Sequence, residues 1–181
     1  WAMGSTLEEL CGAGAAWVNL VISSTGLPAA QALQEKFGTP YVVGTPAGQA
    51  FGRVLLEHLA CSAHTGRSSV AFADCVPDGA GIILGEAVTA RSLAAAIGLE
   101  RGAAPQVLCP LETPPGLLSG GDAAMRAECD LEQRLRTAAW VAADPLYRPI
   151  VPAQTPFYSL PHPAFSGRLW RGQMVNLVKH L

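Results

Sequence analysis

Short, almost unbroken apolar runs alternate with helix-length segments through most of this chain, and nothing constrains its fold more. The run Trp17-Val18-Asn19-Leu20-Val21-Ile22 is followed by the turn residues Ser23-Ser24-Thr25-Gly26 and by Pro28, which suits a first helical turn. Leu27, Ala30, Leu33 and Phe37 then recur at helical spacing, and Gly38 stands where such a helix stops. A second run, Pro40-Tyr41-Val42-Val43-Gly44, completes a β-α-β unit whose crossover is expected to be right-handed. A strand apolar on nearly every residue reads as parallel and covered on both faces, so 17–22 is expected to be buried on both sides.

The same alternation extends in both directions. Ser5 or Thr6 is placed to cap a short leading helix, with Glu8 and Glu9 in its first turn and Gly12 and Gly14 at its end. Thr45-Pro46 is expected to open a helix that turns Phe51, Val54, Leu55, His58, Leu59 and Ser62 inward and ends near Thr65-Gly66. A short strand fits 69–73, and Pro77-Asp78-Gly79 reads as a turn. Residues 1–66 and 67–181 are therefore taken as parts of two α/β lobes. In the second part, strands are expected at 81–85, 107–109 and 140–143. A helix fits 86–97 with Val88, Leu93, Ala96 and Ile97 inward, and Asp122 is placed to cap another that runs to 136. Residues 110–121 and 145–168, rich in proline, read as loops, and 173–179 as a last helix. The fold class this predicts is α/β: Rossmann-like lobes with parallel sheets flanked by helices.

Composition narrows the function. Half of the 181 residues are hydrophobic, which excludes disorder. The net charge is −2 and no Lys/Arg run occurs, which argues against nucleic acid as a partner. No apolar run is long enough for a membrane span, and no secretion signal is visible. Only 14% of the residues are charged, which fits either a surface that faces a partner or a chain rich in Ala and Gly. Cys11, Cys61, Cys75, Cys109 and Cys129 are odd in number, widely spaced and without a C-x-x-C pair. That pattern matches neither a zinc site nor a disulfide framework, and a reducing cytoplasm is the simplest expectation. With Trp1 in first place, the chain reads as a piece of a longer protein.

Parallel sheets bind ligands beyond the carboxyl ends of their strands. This points to four places: Ser23-Ser24-Thr25, Gly44-Thr45-Pro46, Gly85-Glu86 and Asp144-Pro145. The glycines from Gly44 to Gly52 lack a Walker A lysine and a G-x-G-x-x-G pattern, and no G-x-S-x-G is present. Among the histidines, His58, His64 and His180 carry no motif. His162 lies in Pro161-His162-Pro163-Ala164-Phe165-Ser166-Gly167-Arg168, a stiff loop that joins a titratable ring, a hydroxyl and a guanidinium. Such a loop serves either its own backbone or a contact with substrate or subunit. Asp144, four residues before Arg148, is either an Asx-turn or a site carboxylate.

Several stretches together resemble the nitrogenase component 1 type oxidoreductases. They are Trp1-Ala2-Met3-Gly4-Ser5-Thr6-Leu7-Glu8-Glu9, Ala16-Trp17-Val18-Asn19-Leu20-Val21, Gly26-Leu27-Pro28-Ala29-Ala30, Phe37-Gly38-Thr39-Pro40-Tyr41 and Ile83-Leu84-Gly85-Glu86. Asp144-Pro145-Leu146-Tyr147-Arg148-Pro149 follows, and the last, Leu160-Pro161-His162-Pro163-Ala164-Phe165-Ser166-Gly167-Arg168-Leu169, is the most specific match. The resemblance implies a subunit of three α/β lobes, with 1–66 the end of the second lobe and its connecting helix and 67–181 the third. It implies a homologous sister subunit and a separate ATP-hydrolysing iron–sulfur reductase protein as partners. It also implies an iron–sulfur cluster in the full complex, with ligands mostly outside this chain and no metal site within it. On that basis His162 is the candidate catalytic residue, a proton donor near neutral pH, and Asp144, Tyr147, Arg148, Ser166 and Arg168 are candidates for substrate or subunit contact. A metal-cluster assembly scaffold of the same fold and a two-lobed solute-binding module are the other readings.

Overall fold

A computed structural model of the chain describes residues 5–167 and 169–179. The leading helix α1 (Leu7–Cys11) is closed by a capping box, in which Thr6 and Glu9 satisfy each other's backbone N–H groups. Then follow β1 (Asn19–Val21), α2 (Leu27–Phe37), β2 (Tyr41–Val43), α3 (Gln49–Thr65) and β3 (Ser69–Val70). The three strands form one parallel sheet in the order β1-β2-β3, and α2 and α3 stop at Gly38 and Gly66, both left-handed. The strand β3 lies beyond residue 66 and still belongs to this first sheet.

The remaining elements are β4 (Gly81–Leu84), α4 (Ala87–Arg101), β5 (Gln106–Cys109), β6 (Ala123–Ala124), α5 (Glu128–Leu135), β7 (Trp140–Ala143) and β8 (Phe157–Ser159). Their five strands are all parallel, in the order β6-β5-β4-β7-β8. The chain winds outward from β4 to β6, then returns to the other flank for β7 and β8. The winding reverses between β4 and β7, so their carboxyl ends open a crevice there. The architecture is thus α/β, with two parallel sheets flanked by helices, as the alternation predicts.

One core joins the two sheets. Phe51 and Leu55 of α3 and Val88, Ala94, Ala95 and Ala96 of α4 belong to the same buried cluster as Val42, Val43, Ile83 and Val107. Alanines along α4 let its neighbours approach closely from more than one side. On the other face of the five-stranded sheet, Leu131 and Leu135 of α5 pack with Ile82, Leu108 and Val141. The fully buried Arg91 of α4 pairs with Asp122 at 3.1 Å and donates to the carbonyls of Phe72 and Cys75.

Five local expectations are corrected. The first strand is shorter than 17–22 and is covered on one face only: Val21 is buried, Leu20 on the opposite face is exposed, and Trp17, which precedes the strand, is 85% exposed. The helix expected at Thr45-Pro46 starts at Gln49. Thr45 instead bonds to Ser92 Oγ and to the Ile22 carbonyl, and Gly48, at φ 55°, donates to the Leu177 carbonyl. Asp122 caps no helix: its carboxylate takes the N–H of Val107 and of Ser119 besides Arg91, and the next two residues pair with β5 as β6. The stretch 145–168 holds a 3-10 helix, Pro145–Ile150, and the strand β8. Residues 173–179 form no helix; a single 3-10 turn spans Arg171–Gln173.

Candidate functional site

Three of the four strand-end places converge on one cleft of about 770 Å³ between the two sheets. The end of β1 brings Ser23, Ser24 and Thr25, the end of β2 brings Thr45, and the end of β4 brings Glu86, with Thr89 one helical turn on. The loop after β8 brings His162. Parallel pairing puts all these carboxyl ends on one side, so residues far apart in sequence meet without any long connection.

Glu86 is the hinge point of this geometry. It is the N-cap of α4, and its Oε2 accepts the Thr89 N–H at 3.0 Å. Its Oε1 accepts the Ser24 N–H at 2.8 Å, across the gap between the sheets. Both oxygens are thus held by backbone donors, which lets a carboxylate only 2% exposed stay buried.

Asp144 fixes the loop that carries His162. Its Oδ1 accepts the Leu146 N–H, which is the Asx-turn read from the sequence. Its Oδ2 accepts the His162 N–H at 2.9 Å, the Ser166 N–H at 3.3 Å and the Ser166 hydroxyl at 2.7 Å. A buried carboxylate at the end of β7 therefore pins 162–166 over the crevice where the winding reverses. Asp144 and Ser166 are buried structural partners and do not line the cleft.

The imidazole of His162 is engaged at both nitrogens. The Ala164 N–H donates to Nδ1 at 3.1 Å, so in the neutral ring Nε2 carries the proton and donates to Thr89 Oγ1 at 3.3 Å. Burial lowers the pKa from 6.5, against smaller opposing pulls from Glu86 and Asp144. At pH 7 the ring is neutral. Its Nε2–H points to Thr89 Oγ1 on the cleft wall.

The other candidates sort clearly. Tyr147 sets its ring edge-on to Phe165 at 5.4 Å, and burial raises its pKa. Arg148 lies over the Phe157 ring and points to the carbonyls of Val151 and Ala153, away from the cleft lining. Arg168 and His180 lie outside the described residues. Among the described residues no group of three or more His, Cys, Asp or Glu is placed to hold a metal ion. Among the described residues, too, no helix is long and apolar enough to cross a membrane. Comparison with protein-family models, curated proteins and solved structures finds no match for this chain. Two residues of the cleft, Thr45 and Thr89, carried no sequence signal beyond their place after a strand. Glu86 carried one, as the residue between a strand and a helix with threonine at the third position.

Proposed function

We propose that this chain is the C-terminal part of a nitrogenase-like, component 1 type oxidoreductase subunit. It would work in an ATP-dependent two-component iron–sulfur reductase, beside a homologous sister subunit and an ATP-hydrolysing iron–sulfur protein. One observation carries the reading furthest: the loop with the most specific resemblance, 160–169, seats His162 in the cleft at the carboxyl ends of two parallel sheets. Thr45, Thr89 and His162 then form a hydroxyl- and imidazole-lined wall, where a substrate or cofactor acceptor atom would take the His162 Nε2–H by displacing Thr89 Oγ1.

The described residues do not assemble a cluster site of their own. Cys11, Cys61 and Cys129 are exposed, Cys109 is buried, and burial pushes the Cys75 thiol up, which disfavours the thiolate a metal needs. Cluster ligation in this reading belongs to residues outside this chain. The contribution of this chain is the cleft wall and the position of His162.

The deciding test uses the full-length protein purified without oxygen. Iron and acid-labile sulfide per chain, and the EPR spectrum after dithionite, are measured first; bound iron and sulfide with a reducible signal are expected. A colourless, metal-free protein that co-purifies with no sister subunit sinks the reading. In the same protein His162→Ala is expected to lower turnover with an ATP-driven reductase while the chain stays folded.

A further inference from the structure

A second cavity, of about 380 Å³, lies against the five-stranded sheet. In parallel register, Gly81 faces Trp140 and Ala142 faces Tyr158, so Trp140, Ala142 and Tyr158 share one face of the sheet. On this face α4 covers the strands next to it and supplies one wall through Leu93 and Ile97; Val175 and Leu177 supply the other. The floor is built for openness. Ala142 is small, and a Cβ on Gly81 would run into the Trp140 indole, so glycine is what lets that ring lie across the sheet. Trp140 and Tyr158 meet edge to face at 5.9 Å. Arg101, the last residue of α4, is the single charged residue of the lining and makes no ion pair among the described residues.

An apolar cavity of this size with one charged group at its rim selects for an amphipathic ligand of opposite charge. We propose that this groove binds a small apolar carboxylate, its hydrocarbon or aromatic part on Ala142 between Trp140 and Leu93 and its carboxylate on the Arg101 guanidinium. The site is separate from the chemistry proposed for the cleft, although Leu160, Val175 and Leu177 wall both spaces.

The test is calorimetric titration of the full chain with three isosteric probes: 4-phenylbutyrate, 4-phenylbutanol and 4-phenylbutylamine. The acid is expected to bind at one site per chain, at least about tenfold tighter than the amine. Arg101→Gln brings the acid down to the affinity of the alcohol and leaves the alcohol unchanged. Ala142→Phe fills the floor and abolishes binding of all three. Tyr158→Ala, at a 60% exposed rim residue, weakens the acid without touching the core, which keeps the test decisive should Ala142→Phe fail to fold. Equal affinity for acid and amine, no saturable binding at millimolar concentration, or full affinity in both Arg101→Gln and Tyr158→Ala overturns the proposal. None of these outcomes touches the iron and sulfide assay.

Discussion

At the residue scale, His162 ties stability to pH. Its folded pKa lies below 6.5, the value for an unperturbed histidine, because burial penalises the charged ring. The unfolded chain then binds the proton more readily than the folded one. The contribution is complete above about pH 6.5 and is lost as pH falls toward the folded pKa. Protonation also removes the acceptor for the Ala164 N–H, so the loop loosens at the same time. Urea unfolding at pH 7.5 and 5.5 is expected to show a larger loss in the wild type than in His162→Gln. Equal losses would remove His162 as the source of the pH dependence.

At the element scale, α4 is held from inside by the Arg91–Asp122 pair, both side chains almost fully shielded from water. Removal of one partner from such a pair leaves an uncompensated buried charge and costs about 3–5 kcal/mol. Arg91→Met alone is expected to destabilise by that order in denaturant titration, and Arg91→Met with Asp122→Asn by clearly less. Elements also differ in how legible they were. The strands β2, β4, β5 and β7 were clear as contiguous apolar runs with turn residues at their ends. The strands β6 and β8 have two and three residues, and β8 starts directly after Pro156, so no periodicity marks them. Asp122 looked like a cap because its chemistry suits one; a partner 31 residues upstream claims it. The strand-end rule found Ser23, Thr45 and Glu86. The Glu86–Ser24 and His162–Thr89 bonds span 62 and 73 residues, which local pattern does not reach.

At the scale of the whole molecule, the shared core of α3 and α4 makes the two sheets one cooperative unit. Calorimetric unfolding of the chain is expected to give a single transition with equal calorimetric and van't Hoff enthalpies. Two resolved transitions would mean that the sheets melt separately and that the bonds from Glu86 to Ser24 and from Ser92 to Thr45 couple them only weakly. The central place of β4 has a further consequence in time. Gly81-Ile82-Ile83-Leu84 is made well before its second neighbour, Trp140-Val141-Ala142-Ala143, and all four of its residues are buried in the end. While the intervening residues are being synthesised, one flank of this apolar strand stands unpaired on the nascent chain, ready for any other edge it meets. The hours after induction in an overexpressing cell, more than the finished fold, are therefore where this sequence is most exposed to aggregation, and slower synthesis at lower temperature should raise its soluble yield.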